Sequence, residues 1–146
     1  MRIAVIDRAP DGRSLAIGID PAGTELGQLL VVSTDGTVTR RMWPPSGQEG
    51  GRADQPALRL ATWAADSRSL IARGGGAPNP LQFWWIAGDG PRRRPLVEFD
   101  GLVPAGLRVH PDGRRVLFGA TAAGGTATAA PTEVWVWSGL LPSSGK

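Results

Sequence analysis

The sequence predicts an all-β chain: a β-propeller segment of about three four-stranded antiparallel blades, the last lacking its outer strand. Three observations predict it. A nine-residue phrase recurs as APDGRSLAI at 9–17, AADSRSLIA at 64–72 and HPDGRRVLF at 110–118. Its aspartates, Asp11, Asp66 and Asp112, lie 55 and 46 residues apart, and a period of about 50 residues holding four short strands is that of a propeller blade. Gly (21) and Pro (13) fill nearly a quarter of the 146 residues, the punctuation of many short elements joined by turns.

Each copy of the phrase lies between two apolar segments. IAVI (3–6), LRLATW (58–63) and GLRVH (106–110) precede it, and SLAIGI (14–19), SLIAR (69–73) and RVLFGA (115–120) follow it. A third segment comes after a gap: QLLVVS (28–33), QFWWIA (82–87) and EVWVWS (133–138). The first two units then turn through TDG (34–36) and GDG (88–90) into a fourth segment, TVTRRM (37–42) and RPLVEF (94–99). The third unit ends SGLLPSSGK with no such counterpart. These units set blade boundaries at about 1–56, 57–104 and 105–146.

The turn residues fit tight hairpins. Pro presets φ at the first corner, Asp tolerates the second, and Gly supplies the left-handed residue that closes the hairpin with a bulge. Gly12 and Gly113 fit, but Ser67 stands where the other copies have glycine. A non-glycine there costs about 1 kcal/mol, so the second turn is either strained or different. Residues 57–72 also admit a helix, because Trp63, Ala64 and Ala65 break the alternation.

The run PDGRxLxF, a variable loop, an apolar strand with Trp and then Asp-Gly resembles the Pro-Asp repeat of TolB-like β-propellers. HPDGRRVLF followed by EVWVW carries the resemblance best; AADSRSLIA departs from it by losing both Pro and Gly. The resemblance implies blades usually set six to a ring, and binding of proteins or peptides more often than catalysis. Such repeats are often attached to enzymes or signalling domains, so the propeller portion or regulator of a hydrolase or signalling enzyme is the alternative. An excised or engineered blade fragment with no ligand of its own is another.

Strand side chains alternate between the two faces of a sheet. Trp84 and Trp85 take opposite faces, Trp135 and Trp137 share one, and both faces are apolar in all three units. Each sheet therefore needs a neighbour on either side. Three blades leave two end faces bare. A few hundred Å² uncovered at about 25 cal/mol per Å² forfeits on the order of 10 kcal/mol. Either two chains join as three plus three blades, or the segment belongs to a longer propeller.

Composition narrows the chemistry. There is no cysteine, which removes disulfides and thiolate metal sites. No apolar run approaches a membrane span of about 18 residues, and Asp7 interrupts the short apolar start. As written, the chain is expected in the cytoplasm, or in the periplasm if it is cut from a longer secreted one. The pI of about 10.9 is no nucleic-acid signature. Net charge is only +3, Lys146 is the sole lysine and no Tyr is present, so little titrates below the arginines. Residues 1–73 carry nine bases and eight acids, and residues 74–146 seven and five. The charge is spread along the chain, which argues against nucleic acid as the partner.

No catalytic constellation emerges, and no metal or other cofactor is called for. His110 is the single histidine and reads as packed beside its turn. GGGAPNP (74–80) lacks the Lys-Ser/Thr of a phosphate loop. PRRRP (91–95) could grip phosphate or an acidic partner, but also reads as a solvated strand entry. First and third connections are tight in this pattern. The second connections (20–27, 74–80, 121–133) and the links between blades (43–56, 100–106) are long and share the other end. Loops on a rigid scaffold favour binding. The long-loop end is therefore the expected binding face for a protein or peptide, with Trp43 and Arg52 as anchors, since Trp and Arg dominate hot spots. The competing reading has Trp43 capping the core and Arg52 solvated.

Overall fold

The computed structural model describes residues 2–20, 27–44, 58–76, 79–89, 92–122 and 133–138. The first sheet holds β1 (Arg2–Arg8), β2 (Ser14–Asp20), β3 (Gln28–Ser33) and β4 (Thr39–Trp43). The second holds β5 (Leu58–Trp63), β6 (Ser69–Gly76), β7 (Asn79–Ala87) and β8 (Arg93–Phe99). The third holds β9 (Leu102–Val109), β10 (Arg115–Ala122) and β11 (Glu133–Ser138). Each is an antiparallel meander in chain order, and the third has three strands among the described residues. The chain is all-β, a propeller-like segment in which no fourth strand follows β11 among the described residues. No helix is long and apolar enough to cross a membrane among those residues.

The helical reading of 57–72 is overturned. Ala61, Thr62 and Trp63 pair with Ala72, Ile71 and Leu70, and the interruption at Ala64 and Ala65 is the hairpin turn itself. Strand limits also move outward. Trp43, assigned to a link between blades, extends β4, because the register shift between Leu29 and Leu30 lets it pair with Leu29. The leading pair of every sheet carries a shift, at Ile3/Val5, at Leu58/Leu60, and at Leu117/Gly119 on the β10 side. In each case the leading strand has the extra residue, a bulge that increases local twist.

The apolar faces account for the stacking. One core lies between the first and second sheets and contains Ala16, Leu29, Val31, Met42 and Trp43 from one side and Leu58, Trp63, Leu70 and Ile86 from the other. A second core lies between the second and third sheets, where Ile71, Leu81 and Phe83 meet Leu107, Val116 and Phe118. Trp84 packs on the first core and Trp85 on the second, as alternation requires. Burying each large side chain contributes about 1.5–3 kcal/mol. The middle sheet is thus covered on both faces. The outward positions of β2, Leu15, Ile17 and Ile19, remain half-buried, and Ile3 and Val136 are 58 % and 54 % exposed.

The repeated phrase folds as one repeated turn. Gly12 donates to the Ala9 carbonyl at 2.8 Å, Ser67 to Ala64 at 3.1 Å, and Gly113 to His110 at 2.9 Å. In all three the aspartate Oδ1 accepts the N–H two residues on, from Arg13, Arg68 and Arg114 at 2.8–2.9 Å. This side-chain mimicry of a backbone turn is why Asp stands there. Ser67 adopts the same left-handed conformation, φ +54° beside +74° and +69° for Gly12 and Gly113. Its turn is therefore strained and not different. Its hydroxyl oxygen accepts the Asp11 N–H of the first sheet at 3.0 Å, a bond that glycine could not make.

Candidate functional site

The short turns lie together at one end of the stack. Thr34 N–H donates to the Arg13 carbonyl at 2.9 Å, and Gly88 N–H donates to the Arg68 carbonyl at 2.7 Å. Within each of the first two sheets, the third turn is thus fastened to the first. Gly88 is required there: a Cβ would stand 2.6 Å from the Arg68 oxygen.

A second set of bonds fixes the two sheets against one another. The Asp7 carboxylate accepts the Thr62 hydroxyl at 2.8 Å and the Trp63 N–H at 2.9 Å, both on Oδ2. The Trp63 indole N–H reaches back to the Asp7 carbonyl at 3.1 Å. One aspartate at the end of β1 therefore sets the position of the Trp63 ring.

Between the sheets at this end lies a cleft of about 620 Å³, lined from the first sheet by Ser14, Val31 and Arg40. The second sheet contributes Trp63, the Asp66–Ser69 turn, Trp85 and Arg92, among others. The size is that of a site for a small ligand or a short peptide segment. Arg40 is opposite Val31 in the β3–β4 register, which places it on the face that meets the second sheet.

The two acids of the lining are occupied. Asp66 accepts the Arg68 N–H together with the N–H and hydroxyl of Ser69, at 2.8–3.0 Å. Asp89 holds Arg92 at 3.3 Å. Arg40 and Arg68 have no carboxylate partner among the described residues. The cleft thus offers two uncommitted guanidinium groups, with the buried edge of Trp63 in its wall. The lining contains no histidine, and its two carboxylates are those of Asp66 and Asp89.

The anchors expected from sequence lie elsewhere. Trp43 is 5 % exposed and packs in the first core, with the Arg93 guanidinium 4.9 Å above its ring. Arg52 lies outside the described residues, as do 21–26, 45–57, 77–78 and 123–132 of the long connections. The cleft is at the opposite end from the one where sequence reasoning places binding. The three arginines of PRRRP do not act together. Arg92 joins Asp89, Arg93 covers Trp43 and Arg94 lies 5.8 Å from the Trp85 ring centroid. Arg92 and Arg94 are exposed at the entry to β8, as the solvated reading has it, and Arg93 is half-buried over Trp43.

His110 belongs to the third sheet's first turn. Its Nδ1 lies 3.2 Å from the Asp112 N–H nitrogen and 3.1 Å from Asp112 Oδ1, and Arg115 Nη2 approaches the ring at 3.2 Å. Arg115 Nε donates to Asp112 at 2.6 Å. The Arg114 N–H, with help from Arg115 and His110, lowers the Asp112 pKa to about 2. The Ser33 hydroxyl and then the Thr37 N–H lower that of Asp35 to about 2. No group of three metal-ligating side chains gathers among the described residues.

No protein-family profile matches this chain, and no curated protein matches it either.

Proposed function

We propose that the chain is a non-catalytic binding module, a TolB-like propeller segment that holds a peptide carrying acidic and apolar side chains. The carrying observation is the cleft between the first two sheets, where Val31 adds apolar lining and Arg40 and Arg68 offer two guanidinium groups with no carboxylate partner among the described residues. Both walls are braced by backbone bonds, so little order has to be imposed on binding. An extended peptide of alternating Glu and Leu suits this lining.

The test is fluorescence anisotropy with a labelled Glu-Leu-Glu-Leu-Glu peptide at low salt. The wild-type chain should bind it in the micromolar range, and R40E/R68E should bind at least tenfold more weakly. Equal affinity for the two proteins, or no binding to either, would sink the reading.

A second copy of the chain is the other partner. It is favoured by the outward apolar faces of the first and third sheets, with Ile3 58 % and Val136 54 % exposed. Three plus three sheets would cover both. Light scattering at micromolar concentration should then give about twice the chain mass of 15.3 kDa; a folded monomer contradicts the assembly.

A further inference from the structure

Arg73 occupies a position where the other sheets have no side chain. Counted from the turn aspartates, it corresponds to Gly18 in β2 and Gly119 in β10. It pairs with Leu60 on one side and Phe83 on the other. It shares a face with Ile71 and Phe83, both members of the core between the second and third sheets. The residue is only 9 % exposed.

A guanidinium cannot shed its charge in a protein, and a buried charge is normally paired. Here Nε and Nη1 are shut off from solvent and have no hydrogen-bond partner among the described residues. The charged neighbour is another cation. Arg59, the bulge residue of β5, acts with burial to lower the Arg73 pKa, burial being the larger cause. No carboxylate of the described residues answers either charge.

We propose that Arg73, with Arg59 beside it, is a receptor for a single carboxylate that enters between the second and third sheets at the end where β6 and β10 finish. A carboxylate suits the site better than phosphate. It brings one negative charge into apolar surroundings, where a dianion would cost more to desolvate. Its oxygens accept the N–H groups that are otherwise left unsatisfied. The site is at the opposite end from the Arg40–Arg68 cleft and between different sheets, so the two can fail separately.

The experiment is thermal unfolding of the full chain in sodium acetate, against sodium chloride of matched ionic strength and against sodium phosphate. R73G is the control, since glycine is what the other two sheets carry there and the variant should fold. With acetate at about ten times its dissociation constant, the wild-type Tm should rise by about 4 °C. R73G should show no rise, and R59Q a smaller one. An equal rise in wild type and R73G, no rise in wild type, or a rise in phosphate alone overturns the proposal. A second reading comes from the Arg73 Nε–H resonance, which should move on titration with acetate while the Arg40 and Arg68 resonances stay in place.

Discussion

The two contacts between sheets are made of different chemistry. Between the first and second, polar bonds set the geometry: Asp7 holds Thr62 and Trp63, and Ser67 accepts from Asp11. Between the second and third, three phenylalanines meet. Phe83 and Phe118 have centroids 4.8 Å apart, Phe99 and Phe118 5.6 Å, and Phe83 and Phe99 6.3 Å. Bonds with defined donors and acceptors fix one relative position of two sheets and so can hold a cleft open with formed walls. Aromatic packing is less directional and closes the gap. The difference explains why the described cleft lies at the polar contact. The aromatic contact instead encloses a cation, Arg73.

Truncation should separate the two. The largest loss is expected from Phe83→Ala, which removes two of the three ring contacts; chemical denaturation should show about 3–5 kcal/mol. Asp7→Ala should cost less, about 2–3 kcal/mol, by leaving the Thr62 hydroxyl and the Trp63 N–H without their acceptor. It should also weaken binding of the acidic peptide, since the Trp63 ring loses its tether. Phe83→Ala should leave that binding near wild type at temperatures where the variant is folded. If the two variants affect binding alike, the division between a positioning contact and a filling contact is wrong.

The turns sharpen the same comparison. Gly113→Ala puts a side chain at φ +69° with its Cβ 2.9 Å from the Ala65 Cβ, and about 1–2 kcal/mol of destabilisation is expected. Ser67→Gly relieves a similar strain but deletes the acceptor for Asp11 N–H, so the net change should stay within about 0.5 kcal/mol. Denaturation midpoints of the pair would check both.

The smallest effect concerns pH. Asp35 and Asp112 titrate near 2 when folded, below the unfolded value of about 3.9. Their folded pKa is depressed, so their contribution is complete above about pH 4 and is lost as pH falls towards 2. Both are exposed, and the contribution is small. Carboxyl carbon shifts followed by NMR should give midpoints near 2 for these two residues.

The sequence made the repeat legible because its turn chemistry is local. Asp-Gly two residues before a strand is readable without knowing what the strand touches. Even the odd copy was legible as an exception, though not its compensation, because the Ser67 hydroxyl finds its partner 56 residues away. Asp7 shows the limit. In sequence it is an interruption of an apolar start, and only the docking of β5 against β1 turns it into the acceptor for Thr62 and Trp63. The cleft was not legible for the same reason, since Ser14, Arg40, Trp63 and Arg92 converge only when sheets stack. Trp43 read as a linker residue because a bulge, which leaves no local mark, carries β4 one step further.

The stacked arrangement requires the middle sheet to have both faces packed. Amide hydrogen exchange measured residue by residue is the direct test. The account predicts slowest exchange at the paired central residues of β6 and β7, Leu70–Ala72 and Phe83–Trp85, with faster exchange in β4 at the edge of the first sheet. If β6 and β7 exchange as fast as β4, the middle sheet has a wet face and the stacked arrangement is contradicted.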